Sequence, residues 1–247
     1  MGQGEGGPRI SLLGGFQLET DGPAIILPEG SQRLLAFLAL KGRLIQRQAV
    51  AGTLWPVATE DRASSSLRSA LARLQGGARA SVEATARDLG LSEQVTVDLW
   101  DARALAHKLI SPTEGPPSPE PGPGSGPETI PTLSSELLPD WYDDWALVEA
   151  EDWRQLRLHA LEALADRLSS QGKYGDAAAA ALAAVRAEPL RESPRAALIR
   201  VHIAEGNPTE ALREFTRYGE LLMLELGVEP TQRLRALVSE LWPVTQP

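Results

Sequence analysis

The sequence predicts a mainly α-helical protein with a small β component, built in two parts. Three observations carry that expectation. Short alternating apolar runs stand at 9–27 and 81–97, with three amphipathic helical stretches between them. A proline- and glycine-rich stretch, 111–131, then interrupts the chain. Beyond it everything is helical, and residues recur at a spacing of 34: Gly172 as Gly206, Ala177 as Ala211, Leu164 as Leu198, with Ala181 matched by Phe215.

The elements follow in order. Ile10, Leu12, Phe16 and Leu18 alternate around Gly14-Gly15 and read as strands. Asp21-Gly22-Pro23 reads as a turn and Ile25-Ile26-Leu27 as a further strand. Ser31–Lys41 reads as a helix, with Ser31 as N-cap and Gly42 just past its end; Leu34, Leu35, Leu38 and Ala39 form its buried stripe. A second helix is expected over Gln46–Trp55, with Ala49, Val50, Leu54 and Trp55 inward and Pro56 stopping it. The third runs over Asp61–Leu74 and ends at Gly76-Gly77. Residues 81–84 and 88–91 pair as a hairpin around Thr85–Arg87, and Val95–Val97 adds a strand.

Sheet, three helices, then hairpin is the order of a winged helix-turn-helix, here 9–98 with an antiparallel sheet. Its expected core is Leu34, Leu38, Leu54, Trp55, Leu67, Leu71 and Leu74. Residues 111–131 offer nothing to pack and are expected to be disordered. The remainder is expected to be an all-α, tetratricopeptide-like domain. Its two repeat units need caps from helices near 141–153 and 231–242.

Charge marks one place out. Residues 31–79 hold eight basic side chains against two acidic ones, a net +6, in a chain whose total is −9. Counterion release rewards such an island when it meets a polyanion. On a helical wheel of the third helix, Leu67, Ala70, Leu71 and Leu74 share one face. Ser65, Ser69 and Ala72 lie opposite, flanked by Arg62, Arg68 and Arg73. Small residues admit a close approach to base edges, serines reach bases and phosphates, and arginines reach phosphates or guanine. The expected DNA contacts are therefore Arg62, Ser65, Arg68, Ser69 and Arg73, with Thr85 and Arg87 at the wing tip; Arg33 to Arg47 brace phosphates. Glu60 and Asp61, on the loop before the third helix, are a candidate polymerase contact; the alternative is acids favoured at a helix start.

Other chemistry is not expected. The chain has no cysteine, which excludes disulfides and thiolate sites and fits a reducing cytoplasm. No apolar run approaches the ~20 residues of a membrane span. His107, His159 and His202 stand alone, so neither a metal site nor another cofactor is expected. Leu13-Gly14-Gly15-Phe16 is too short for a phosphate loop, no serine sits in a nucleophile elbow, and Asp140, Asp143 and Asp144 fit a helix start. An enzyme is the weak reading.

Several motifs resemble one family. Leu54-Trp55-Pro56, then 67–74 (Leu-Arg-Ser-Ala-Leu-Ala-Arg-Leu), then Val97-Asp98-Leu99 resemble the DNA-binding domain of SARP-type transcriptional activators of actinobacterial antibiotic pathways. Pro189-Leu190-Arg191-Glu192, Gly206, Glu210-Ala211-Leu212 and Leu226-Gly227-Val228-Glu229-Pro230 are similar to their bacterial transcriptional activation domain. The resemblance implies a third helix and wing on promoter direct repeats, two protomers head to tail, and recruitment of RNA polymerase holoenzyme. It places the second domain at 99–247, makes Asp101–Leu109 its first helix, and turns the proline-rich stretch into an insertion. It implies a cytoplasmic protein at the nucleoid. No ATPase or sensor module follows, which fits a small member of the family or a piece of a longer chain. A repressor with the same DNA contacts is the nearer alternative; a tetratricopeptide-like adaptor without DNA binding is the more distant one.

Overall fold

The structure is a computed structural model that describes residues 7–20, 26–111 and 126–241. The described residues form two compact units, 1–101 with 136–154, and 102–135 with 155–247. Residues 136–154 pack with the N-terminal elements, whereas the resemblance implied a single break at 98/99.

In the first unit, β1 (Arg9–Ser11) lies between β2 (Gln17–Glu19) and β6 (Thr96–Val97). It pairs antiparallel with β2, Ile10 opposite Leu18, and parallel with β6, Ile10 beside Val97. The parallel pairing was not read from the sequence. Gly14 and Gly15 have positive φ and open the turn between β1 and β2. Asp98 staples the exit of β1, its two carboxylate oxygens accepting the Leu12 and Leu13 N–H groups at 2.8 and 3.1 Å. The turn expected at 21–23 lies outside the described residues. Ile26 and Leu27 form no strand, and Ile26 is almost fully exposed.

Helix α1 (Glu29–Lys41) starts two residues before the predicted cap, with Pro28 in the capping position. Ser31 is not a cap. It is buried inside the first turn, and its hydroxyl donates to the Ala70 carbonyl at 2.9 Å. Gly42 closes the helix in the left-handed region, as expected. Leu34, Leu35 and Leu38 are wholly buried, each contributing about 1.5–3 kcal/mol.

A two-residue strand, β3 (Ile45–Gln46), precedes α2 (Arg47–Leu54) and takes Gln46 out of the predicted helix. Ala49 is exposed rather than inward, and Trp55 is only half-buried, because the chain leaves the helix there ahead of Pro56. Helix α3 (Glu60–Ala72) buries Ala63, Leu67 and Ala70; Leu71 is half-buried and Leu74, beyond the helix, is buried. The short α4 (Gly76–Ala80) leads to the wing. There β4 (Val82–Ala84) and β5 (Asp88–Leu91) pair antiparallel, and β5 also pairs with β3, Ile45 opposite Leu89.

Residues 136–154 complete this unit. Leu13 and Leu137 form an antiparallel bridge, and the Gly14 N–H donates to the Glu136 carbonyl at 2.7 Å. Trp141 and Trp145 stand edge to face at 5.9 Å; Trp141 packs on Phe16 and Trp145 on Phe37. Arg33 pairs with Asp143 and donates to the Leu54 carbonyl, and Lys41 pairs with Glu149 at 3.0 Å. Asp143 thus belongs to a structural ion pair. Residues 141–153 sit with the first unit, not with the repeats they were expected to cap.

Helix α5 (Asp98–Ile110) follows β6, and Ala102, Ala106 and Leu109 are its buried face in the second unit. Of the stretch expected to be disordered, 112–125 lie outside the described residues. Pro127–Thr129 is a 3-10 turn and Ile130–Ser134 is α6, with buried Thr129 and Leu133 supplying the contacts a disordered segment lacks. Four longer helices follow: α7 (Asp144–Ser170), α8 (Tyr174–Ala187), α9 (Glu192–Glu205) and α10 (Pro208–Leu226).

The echo at 34 residues is structural. Gly172 and Gly206 both have positive φ after a helix, and the matching bonds run from Lys173 N–H to Leu168 O and from Asn207 N–H to His202 O. Leu164, Ala177, Ala181, Leu198 and Ala211 are buried where helices cross; Phe215 is half-buried. Helix α11 (Gln232–Val238) packs on α9 and α10 through Leu234 and Val238, the cap expected near 231–242.

Candidate nucleic-acid interface

The face of α3 turned away from its core is built as the sequence suggested. Arg62, Ser65, Arg68, Ser69, Ala72 and Arg73 are all exposed, while Ala63, Leu67 and Ala70 anchor the other side. Small residues hold the middle of the face and arginines its edges. Among the described residues, no hydrogen bond or ion pair engages the side chains of Arg62, Arg68 or Arg73.

Two features fix how that helix is held. Its last turn tightens: the Arg73 N–H reaches Ser69 O, and the Leu74 N–H reaches Leu71 O rather than Ala70 O. The Ala70 carbonyl is thereby left without a helical donor, and Ser31 supplies one from α1. The start of the helix is acidic, Glu60 and Asp61 facing its positive end. Both acids are exposed, and Glu60 accepts from the Gln48 side-chain amide at 2.7 Å.

The wing tip carries Thr85 and Arg87, both exposed. The Thr85 hydroxyl is spent on its own turn, accepting the Asp88 N–H at 2.9 Å and the Arg87 N–H at 3.3 Å. Arg87 projects with no side-chain partner among the described residues. Arg47 ties the wing to α2. Its N–H donates to Arg87 O at 2.8 Å, and its half-buried guanidinium reaches Thr85 O at 3.3 Å.

Not all of the basic island faces outward. Arg33 and Lys41 are bound to Asp143 and Glu149, so they do not brace phosphates. Sequence reasoning missed this because both acids lie over 100 residues downstream. No group of three or more potential ligands able to hold a metal occurs among the described residues.

Residues 134–242 match the family model of the bacterial transcriptional activator domain. No curated protein matches the chain. Among solved structures, Mycobacterium tuberculosis EmbR in complex with a low-affinity phosphopeptide shares the fold, with a TM-score of 0.69 and 21% identity over 95% of this chain. The present chain spans 64% of that one. Residues 134–242 are thus similar to a bacterial transcriptional activator domain, and the chain shares its fold with EmbR.

Within that domain, the motif residues of the SARP-type resemblance do structural work. Arg191 contacts Gln155, His159 and Glu162 on α7. Glu192 accepts from both the N–H and the hydroxyl of Thr231, the cap of α11. Arg235 of α11 closes back on Glu229 and on the Pro230 carbonyl. No helix among the described residues is long and apolar enough to cross a membrane.

Proposed function

We propose that this chain is a sequence-specific DNA-binding activator that holds promoter direct repeats with α3 and the wing and recruits RNA polymerase. The observation that carries the reading is the exposed face of α3. Its centre is small enough to meet base edges, and its three arginines have no partner of their own among the described residues. Arg62, Ser65, Arg68, Ser69 and Arg73 contact DNA in this reading, with Arg87 on a neighbouring phosphate. Thr85 shapes the wing tip and presents it, and Arg47 braces it.

The DNA-holding residues fall within 9–98, and the helical remainder, 99–247, meets protein. Glu60 and Asp61 face the polymerase. Direct repeats call for two protomers head to tail, and a biosynthetic gene cluster is the expected target, in the cytoplasm at the nucleoid.

The test begins with random duplexes retained by the protein and sequenced. A gel shift on the enriched site then compares the native protein with Arg68→Ala. Enrichment of a repeated half-site, with weakened binding by the variant, is expected. Retention without any enriched sequence sinks the reading. Transcription from a reconstituted promoter bearing that site should rise on addition of the protein; a fall would make it a repressor.

A further inference from the structure

Helix α10 carries more apolar surface than its neighbours cover. One stripe, Ala211, Tyr218 and Leu222, is buried against α9 and α11. A second, rotated by one residue, runs through Phe215, Gly219, Met223 and Leu226. Met223 is 51% exposed, and Leu224 beside it is 80% exposed. Phe215, Gly219, Met223 and Leu224 line one wall of an open groove of about 1060 Å³; Pro230 and Val238 line the other. A Cβ on Gly219 would meet Pro230 at 3.6 Å, so α10 and Pro230 approach each other closely there.

The rim is acidic. Among the described residues, its charged side chains are Glu220, Glu229 and Arg235. Arg235 is neutralised by Glu229, which leaves the Glu220 carboxylate without an ion-pair partner among the described residues.

We infer that this groove docks one amphipathic helix of a protein partner, with an apolar face flanked by lysine or arginine. Three points select that occupant. The stripe, half-buried at Phe215 and Gly219 and exposed at Met223, has helical spacing, so a helix packing ridge into groove meets it along its length. From Phe215 to Leu224 the lining of α10 runs about 14 Å, which sets a partner of about two to three turns. The net negative rim attracts basic flanks and repels acidic ones. Unbranched Met223 adapts to the face it receives. The inference stands apart from DNA binding by α3.

The probe is a fluorescein-labelled, end-capped peptide of leucine, lysine and alanine, with leucines on one helical face and about three turns long. A shuffled peptide of identical composition is the control. The full chain should bind the first saturably by fluorescence anisotropy and the second at least about tenfold more weakly. Met223→Glu and Leu224→Glu, both at exposed positions, should each weaken binding about tenfold or more with unchanged melting. Glu220→Lys should weaken it and flatten its salt dependence. Equal binding of both peptides, no saturation, or indifference to both glutamate variants overturns the inference. So does binding that appears only after deletion of residues 242–247, or a dimer that Leu224→Glu dissolves, since the occupant is then this chain itself.

Discussion

Six arginines of the helical unit and three at α3 are used in opposite ways. In the helical unit, Arg191, Arg195, Arg200, Arg213, Arg217 and Arg235 are each held by a carboxylate of the same unit. On α3, Arg62, Arg68 and Arg73 are held by none among the described residues. A paired guanidinium has spent its charge on the fold. An unpaired one keeps it for an anion from outside. Net charge alone does not separate these cases, because Arg33 and Lys41 lie inside the basic island and are spent as well. In the proposed reading it is the unpaired arginines of α3, not the +6, that meet DNA.

The comparison breaks most sharply at Glu214. Arg195 and Glu214 pair at 2.8 Å with only 8% and 10% of their side chains exposed, and Arg195 also stacks over Tyr218. Removing one partner strands a buried charge. Glu214→Ala should cost about 3–5 kcal/mol in urea unfolding of the helical unit. DNA affinity of the molecules that remain folded should not change. A stability loss below 1 kcal/mol would mean that this arginine is no more committed than those on α3.

Arg68→Ala probes the other side. It should leave unfolding unchanged and cost about 1–3 kcal/mol in DNA binding, since no interaction within the protein is lost. If about six phosphates are neutralised, the native log–log salt slope is near −5, and the variant's should be shallower by about one. A stability change without an affinity change would place Arg68 among the structural arginines.

Much of this was legible beforehand, for physical reasons. The periodicity of α3 separates Leu67 and Ala70 from Ser65, Ser69 and Ala72 without any tertiary knowledge. The glycines at the repeat turns announce left-handed caps. What stayed hidden depends on partners far away in the chain. Ser31 has the composition of a helix cap, and only the approach of α3, 39 residues on, turns it into a donor for Ala70. The tryptophans at 141 and 145 stand out in the sequence, but their partners Phe16 and Phe37 do not. Two-residue strands such as β3 are too short to show a period.

Ser31 is also a smaller test of the comparison, because it ties the stability of one face to the function of the other. Ser31→Ala leaves the Ala70 carbonyl without its donor and should cost about 1 kcal/mol of stability. It should also loosen the last turn of α3 beside Ser69 and Arg73. The preference for the enriched DNA site over random duplex should fall severalfold in gel shifts, while binding to random duplex holds. An unchanged preference would show that the last turn of α3 keeps its place without Ser31.

An effect of similar size, confined to alkaline pH in its titrating part, is expected at Tyr218, where the spent arginines meet a titrating group. Its hydroxyl donates to the Leu190 carbonyl at 3.0 Å. Burial, and then the negative charge of Glu192, push its pKa above the usual 10.0, against the pull of Arg195. The sign follows from which state loses its proton first. Unfolded tyrosine ionises near pH 10, and the folded phenol only above that. The folded state therefore holds more protons in that window, and stability falls as pH rises through it. Below about pH 10 the contribution is fully present. Tyr218→Phe should cost about 0.5–1.5 kcal/mol near pH 8, from the lost hydrogen bond. It should also flatten the decline of the urea midpoint above pH 10. Equal alkaline slopes in the two proteins would assign that decline to other groups and leave Tyr218 as a packing residue alone.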